Sequence, residues 1–177
     1  MEKNEKLIIV INGKGGVGKD TLCESISSEY KILNVSAITP IKEIAKAYGW
    51  QGEKDEKARR FLSELKKAFI NYNDLPTRYL LEQYQSFLKN DDVIMFVHIR
   101  EGEEIRKFVE AVDGKCVTLL IYNAAMNEQV YGNESDDRVE QYEYDYRFDN
   151  SAPLKQSKEA FLKYIEEIWK KERIRFT

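Results

Sequence analysis

Residues 13–21, GKGGVGKDT, combine glycines, lysines and hydroxyl or carboxylate side chains in a spacing that suits phosphate binding. Glycine tolerates positive φ, so its backbone turns N–H groups toward an anion with no Cβ in between. The spacing Gly13-x4-Gly18-Lys19 places a lysine where its charge reaches the outer phosphates of a nucleotide. The predicted nucleotide contacts in this loop are Gly13, Lys14, Gly15, Gly16, Val17, Gly18, Lys19, Asp20 and Thr21.

The residues on either side of this loop have the pattern that a phosphate-binding P-loop needs. Residues 7–11 are five apolar residues, four of them β-branched, which is typical of a strand buried on both faces. From about Lys19 the chain is predicted to form a helix, whose N-terminus adds partial positive charge. The order strand, glycine-rich loop, helix therefore predicts a P-loop rather than a flexible turn.

The predicted metal is Mg²⁺, and the sequence offers two side chains for it. The residue after the P-loop lysine is normally a Ser or Thr whose hydroxyl contacts Mg²⁺, but here it is Asp20. A carboxylate is also an oxygen ligand for hydrated Mg²⁺. Thr21 supplies a hydroxyl one residue later, and the sequence leaves both candidates open.

Composition and net charge disfavour several classes of protein. The 177 residues fit one domain, and a net charge of −3 disfavours a general nucleic-acid binder. No apolar run is long enough to cross a bilayer, and residues 1–6 lack the apolar centre of a signal peptide. We therefore expect a cytoplasmic protein that binds neither nucleic acid nor membrane. Cys23 and Cys116 are expected to be core residues rather than a disulfide.

Alternating apolar strands and amphipathic helices predict an α/β fold. The predicted architecture is a three-layer sandwich, with a mostly parallel five-stranded sheet covered by helices on both faces. The predicted strands are residues 7–11, 31–37, 92–99, 115–122 and 142–150. In such a sheet a ligand binds outside the carboxyl ends of the strands, where the P-loop, Arg100 and Asn150 are expected to meet.

The chain is predicted to form a single domain over residues 1–177, with a core of residues 1–50 and 91–177. A helical insertion occupies about residues 51–90, and its first helix is predicted to turn four residues inward: Phe61, Leu65, Ala68 and Phe69. A preceding helix is predicted to begin with Thr39 as its cap and Pro40 in its first turn. Residues 123–141 are polar and without periodicity, as in a lid-like loop.

Several segments resemble P-loop kinases of the nucleoside monophosphate kinase group. The loop GKGGVGKDT is similar to the GKDT variant found in phage-type deoxynucleoside monophosphate kinases and in animal phosphomevalonate kinase. Four further segments resemble elements of these kinases in the same order: NVSAITPIKEIA, KARRFLSEL, HIREGEEI and YDYRFDNSAPL. The resemblance covers most of the chain. Only the P-loop is specific on its own.

The resemblance implies a kinase that uses ATP and Mg²⁺ and transfers the γ-phosphoryl group to a small phosphorylated acceptor. A nucleoside or deoxynucleoside monophosphate is the implied acceptor. Lys19 and Arg100 would stabilise the transferring group as catalytic residues with Asp20, and Arg100 would also contact the acceptor. Arg59 or Arg60, in KARRFLSEL, would hold the acceptor phosphate.

Arg138 lies in the lid-like loop and would close over the donor nucleotide. The resemblance also has two departures. His98 stands where these kinases usually carry an Asp at a strand end, so Mg²⁺ would depend on Asp20, Thr21 and either Glu101 or Glu103. No arginine follows the strand that ends in LLIYN.

The role of His98 stays open between a core residue, a phosphate contact and a general base. Two other functions also stay open. The absent Asp favours a regulatory or sensor module that binds nucleotide with little turnover. KGGVGKD resembles the KGGVGKT loop of partitioning-type dimeric ATPases, in which an early lysine, here Lys14, acts across the dimer.

Overall fold

The computed structural model describes residues 5–126 and 138–172, which form an α/β sandwich around one parallel sheet. The five strands lie in the order β2-β3-β1-β4-β5, and each neighbouring pair is parallel. The strands are β1 (Leu7–Asn12), β2 (Ile32–Ser36), β3 (Ile94–His98), β4 (Val117–Tyr122) and β5 (Tyr146–Asp149). The predicted sheet is therefore confirmed, and its described strands are all parallel.

Six α-helices connect or follow these strands within the described ranges. They are α1 (Lys19–Ile26), α2 (Thr39–Ala47), α3 (Glu56–Asn73), α4 (Leu75–Phe87), α5 (Gly102–Ala111) and α6 (Leu154–Glu172). Short 3-10 helices span Ala124–Met126 and Val139–Gln141. No helix in residues 5–126 or 138–172 is both long and apolar enough to cross a membrane.

The sheet separates two apolar cores, because alternate residues of a strand face opposite sides. Ile9 and Ile11 of β1 pack with buried side chains of α1 and α6, including Leu22 and Phe161. Ile8 and Val10 pack on the other face with buried side chains of α4 and α5. The predicted three-layer sandwich is thus confirmed, with β1 buried along its whole length at the centre.

The carboxyl ends of the central strands meet at one edge. Ile11 at the end of β1 is in register with His98 at the end of β3, and Asn12 is in register with Leu120 of β4. Residues that directly follow β1 and β3 are therefore neighbours in space. This edge carries the glycine-rich loop.

The buried residues of α3 differ from those that the sequence predicted. Phe61 is 44 % exposed and Ala68 is also exposed, whereas Ala58 is the buried residue of this helix. Leu65 and Phe69 are partly buried, as expected for an inward stripe. The helix α3 packs against α2 and α4 rather than against the sheet. These two helices cover a narrower stripe of α3 than the sequence predicted.

Two boundaries also differ from the prediction. Thr39 is the first residue of α2 rather than its cap, and the preceding Ile38 provides no side-chain hydrogen bond. The predicted strand 142–150 forms β5 only in its second half, because Tyr142 and Tyr144 pack beside the α4–α5 core instead. Of the predicted lid-like loop, residues 127–137 lie outside the described residues.

Candidate active site

Residues 13–18 form the turn between β1 and α1, and three of their glycines adopt positive φ: 155° at Gly13, 77° at Gly16 and 90° at Gly18. A Cβ on Gly13 would collide with the carbonyl oxygen of Ile121. A Cβ on Gly18 would lie 2.6 Å from Nδ2 of Asn150. Glycine is therefore needed at both positions for backbone conformation and for close approach.

Two asparagines hold this loop against the neighbouring strands. Oδ1 of Asn12 accepts a hydrogen bond from the Gly13 N–H at 2.8 Å, and its Nδ2 donates to the carbonyl oxygen of Arg100 at 2.9 Å. Nδ2 of Asn150 donates to the carbonyl oxygen of Val17 at 2.8 Å. The loop conformation is thus preformed by contacts from residues that follow β3 and β5.

Asn12 was not among the predicted site residues. It is buried, and its Nδ2 also donates to the Tyr144 hydroxyl at 2.9 Å, which in turn donates to the carbonyl oxygen of Val139 at 2.8 Å. Burial raises the pKa of Tyr144 to about 12, so this hydroxyl stays protonated at neutral pH. A polar residue that ends an otherwise apolar buried strand is the signal that identifies such an anchor.

The N-terminus of α1 opens toward the loop. Gly18 occupies the cap position in a left-handed conformation, and no side chain caps the helix. Lys19 Nζ donates to the carbonyl oxygens of Gly13 at 2.6 Å and Lys14 at 3.2 Å, so its charge lies over the loop. Backbone donors of a helix N-terminus and a lysine charge are together suited to bind a polyphosphate.

The segment just after residue 137 lies beside the P-loop. Lys14 Nζ is 3.5 Å from Oε1 of Glu140, within the 3-10 helix Val139–Gln141. Arg138 is exposed and directly precedes this short helix. The carboxyl end of the predicted lid-like loop therefore reaches the glycine-rich loop.

His98 lies at the end of β3, beside the first turn of α1. Its Nδ1 is 3.7 Å from Oδ1 of Asp20, and its Nε2 is 3.3 Å from Oδ1 of Asn34 on β2. Burial lowers the pKa of His98, an effect that Asp20 opposes and the Lys19 charge reinforces. The side chain is 16 % exposed, so His98 is neither sealed in the core nor free in solvent.

The predicted metal ligands fit a hydrated Mg²⁺ ion. Asp20 is 85 % exposed in the first turn of α1 and Thr21, next to it, is also exposed. Glu101 and Glu103 lie at the start of α5, which follows β3. The described part of the chain holds no cluster of three or more His, Cys, Asp or Glu residues, so a metal bound here would need phosphate oxygens and water to complete its coordination.

The predicted arginines occupy two separate places. Arg100 directly follows Ile99 at the carboxyl end of β3, and its backbone is tied to Asn12, so it lies at the P-loop edge. Arg60 is exposed, and its Nε donates to Oε1 of Glu64 at 2.9 Å. With about 100° between successive helix residues, Arg59 flanks the buried Ala58, whereas Arg60 points nearly opposite to it.

A buried ion pair that the sequence did not indicate joins the helical insertion to α5. Nζ of Lys66 on α3 is 2.7 Å from Oε1 of Glu104, with side chains 15 % and 10 % exposed. Burial raises the pKa of Glu104, while Lys66 acts in the opposite direction. Nearby, Lys107 Nζ lies 3.6 Å from Oδ2 of Asp74, which adds a second link between α5 and the α3–α4 turn.

No family model and no curated protein matches this sequence. Solved structures do share its architecture. The tunicamycin resistance protein of Deinococcus radiodurans superposes with a TM-score of 0.58 at 14 % identity, covering 91 % of this chain and 96 % of that chain. Dephospho-CoA kinase from Campylobacter jejuni gives a TM-score of 0.56 at 19 % identity, covering 93 % and 98 %.

Shikimate kinase from Aquifex aeolicus gives a TM-score of 0.54 at 12 % identity and covers 90 % of this chain and 96 % of that chain. Each comparison spans nearly the whole length of both proteins. At these identities the similarity is evidence about fold, not about substrate. The chain therefore has the α/β fold of small P-loop kinases.

Proposed function

We propose that this protein is a kinase that uses ATP and Mg²⁺ and transfers the γ-phosphoryl group to a small phosphorylated acceptor. The observation that carries the proposal is the P-loop, with Lys19 Nζ held 2.6 Å from the Gly13 carbonyl over a loop opening toward the N-terminus of α1. Asn12 and Asn150 preform this loop. A preformed set of donors suits a reaction whose catalysis is positioning and electrostatic stabilisation.

The residues of the chain would divide this task. The N–H groups of residues 14–19 and the ammonium of Lys19 bind the phosphates of ATP. Arg100, which follows β3, offsets negative charge at the transferring group. Mg²⁺, bound through Asp20 or Thr21 and phosphate oxygens, would supply further charge neutralisation. Arg138 closes over the donor nucleotide.

We assign the acceptor to the nucleoside or deoxynucleoside monophosphates. Support comes from the insertion of about residues 51–90, whose α3 presents Arg59 beside its packed face. A guanidinium fork matches the oxygens of an acceptor phosphate. The buried Lys66–Glu104 pair joins this insertion to α5, so α3 is positioned relative to the carboxyl end of β3.

Of the alternatives, a nucleotide sensor with little turnover has one observation in its favour, which is His98 at the end of β3. A partitioning-type ATPase is less well supported. Its early lysine acts across a dimer, whereas Lys14 here lies 3.5 Å from Glu140 of its own chain. We place the protein in the cytoplasm because its substrates would be cytoplasmic nucleotides.

The test is a thermal-shift screen with Mg²⁺·ATP and each common monophosphate, followed by coupled assays of ADP release. A ligand that binds the folded state alone raises the melting temperature. We expect stabilisation by ATP and by one group of monophosphates, and ADP release only when both are present. Stabilisation by ATP without acceptor-dependent ADP release would support the sensor. No stabilisation by any nucleotide would contradict all three functions.

A further inference from the structure

We propose that His98 and Asp20 together bind the divalent cation of the nucleotide complex, through Nδ1 and a carboxylate oxygen, and that this site prefers a transition-metal ion such as Mn²⁺ over Mg²⁺. The inference rests on the proposed function, since the nucleotide would supply the remaining ligands. It assigns His98 a role beyond those that the sequence left open.

The placement of the two side chains is the first argument. His98 Nδ1 lies 3.7 Å from Oδ1 of Asp20, next to the P-loop lysine. Asp20 is the residue directly after Lys19, where a P-loop normally places its metal-binding hydroxyl. The histidine therefore faces the metal position of the loop rather than the apolar core.

The orientation of the imidazole is the second argument. Its Nε2 lies 3.3 Å from Oδ1 of Asn34 on β2. Asn34 and His98 share one face of the sheet, because Asn34 pairs with Phe96, two residues before His98. This contact leaves Nδ1, the other ring nitrogen, facing the Asp20 carboxylate at 3.7 Å.

The separation of the two atoms suits a shared cation. Nitrogen and oxygen ligands lie about 2.1 Å from a small divalent ion, so neighbouring ligands are about 3.0 Å apart and opposite ones about 4.2 Å. The observed 3.7 Å is longer than the separation of adjacent ligands by about 0.7 Å. Asp20 is 85 % exposed and free to adjust, whereas Asn34 holds the ring of His98. Only a small movement of Asp20 is needed.

The donor set decides the class of metal. Imidazole suits first-row transition metals, whereas Mg²⁺ prefers oxygen ligands alone. The contact between Nε2 and Oδ1 of Asn34 matches the outer contact by which metal-binding histidines fix the orientation of the ring. With two protein ligands, the phosphates and water complete the coordination.

The experiment exploits the fact that His98 is the only histidine of the chain. Untagged protein is loaded with Mn²⁺ and a non-hydrolysable ATP analogue at about pH 8, where ordinary imidazole is neutral. Pulsed electron paramagnetic resonance then detects nitrogen coupled to Mn²⁺. We expect an imidazole ¹⁴N coupling that becomes a ¹⁵N coupling in protein labelled with ¹⁵N-histidine, which separates His98 from the nitrogens of the nucleotide.

Variants distinguish metal binding from a purely structural role. His98→Asn is expected to remove the coupling and to weaken Mn²⁺ binding to the nucleotide complex by about tenfold or more, with a much smaller effect on Mg²⁺. Asn34→Ala should weaken Mn²⁺ binding by about tenfold, whereas Asn34→Asp retains a partner for Nε2 and should preserve it. Glu24→Gln, on the exposed face of α1, is the control for loss of one carboxylate.

The outcomes separate this inference from the proposed function. If calorimetry detects no binding of Mn²⁺ with nucleotide to the protein, both the proposed function and the metal role of His98 are wrong. If nucleotide and Mn²⁺ bind but ¹⁵N-histidine labelling leaves the spectrum unchanged, only the metal role of His98 is wrong. If His98→Asn weakens Mn²⁺ and Mg²⁺ binding equally, the metal role of His98 is also wrong. His98 would then support the loop by packing alone.

Discussion

The side-chain amide of Asn150 donates a hydrogen bond of 2.8 Å to the carbonyl oxygen of Val17, which lies 133 positions earlier in the chain. The same amide nitrogen lies 2.6 Å from the point that a Cβ on Gly18 would occupy. The residue that directly follows β5 therefore covers the backbone of the P-loop. This contact makes the shape of the nucleotide loop depend on the last strand of the sheet.

Replacing Asn150 with Ala should weaken nucleotide binding, because the loop loses one of its two asparagine anchors. A hydrogen bond of this kind contributes about 0.5–1.5 kcal/mol, so the dissociation constant for ATP should rise by up to about tenfold. Isothermal titration calorimetry measures the change. Asn90→Ala, in an exposed turn after α4, is the control. An unchanged affinity would mean that the loop keeps its shape without this anchor.

Gly18→Ala should weaken ATP binding more than Asn150→Ala does. At φ 90° the new Cβ is strained and displaces the Asn150 side chain from the loop, so we expect the dissociation constant for ATP to rise by more than about tenfold. Gly49→Ala is a matched control, because Gly49 has φ 109° but nothing lies within 4 Å of its Cβ position. This control should lose only about 1 kcal/mol of folding stability and should bind ATP normally. ATP titrations and thermal melts of both variants test the comparison, and normal ATP binding by Gly18→Ala would contradict it.

Lys19→Ala should reduce turnover at least about 100-fold while the fold survives, since Lys19 is partly exposed and its charge acts on the phosphates. Lys14→Ala should cause a much smaller loss, because Lys14 contacts Glu140 rather than the centre of the loop. Steady-state kinetics with a coupled ADP assay measures both, and circular dichroism checks the fold. The reverse order of effects, together with ATP-dependent dimerisation on gel filtration, would favour the partitioning-type ATPase.

Arg59→Ala should raise KM for the acceptor by about 10- to 100-fold, the loss expected for one charge-assisted hydrogen bond to phosphate. Arg60→Ala should change KM little, because Arg60 points away from the packed face of α3 and contacts Glu64. Both variants remove the same charge from neighbouring positions, so each controls for the other. Initial rates over a range of acceptor concentrations decide between them. Equal values of KM for the two variants would remove α3 from the acceptor site.

The Lys66–Glu104 pair predicts a strong effect on stability. Lys66→Met leaves the buried carboxylate without its partner and should lower the free energy of unfolding by about 3 kcal/mol. The double variant with Glu104→Gln should recover much of this loss, since no buried charge remains unpaired. Urea denaturation of the two single variants, the double variant and the wild type measures the coupling. Additive losses would mean that the pair makes no net contribution.

The same pair also predicts a dependence on pH. Burial raises the pKa of Glu104 above its ordinary 4.5. Between pH 4.5 and the pKa of the folded state, Glu104 is therefore more protonated in the folded protein than in the unfolded chain. The contribution of Glu104 to stability therefore falls as pH rises from 4.5 through the pKa of the folded state. Relative to the wild type, Glu104→Gln should become more stable across this window. A stability difference that is constant with pH would show that the carboxylate titrates normally.

Local sequence patterns were sufficient for much of the fold. The apolar run of β1 and the glycine spacing after it each depend on consecutive residues, so strand, loop and helix were predictable from the sequence. The face of α3 was not, because Phe61 and Ala68 have suitable apolar character and spacing but stay exposed among the residues that the structure describes. Periodicity indicates which residues could face inward. Tertiary packing decides which of them do.

The sequence by itself determined a glycine-rich loop with a following lysine at the tip of a buried strand, since glycine conformation and the lysine charge are properties of adjacent residues. Only the tertiary structure decided the partners that complete the site. Asn150 contacts Val17, Lys66 contacts Glu104 and His98 faces Asp20, and each pair is separated by at least 38 positions of the chain. The physical reason is that such contacts depend on the register of parallel strands and the packing of helices across them, which no local pattern specifies.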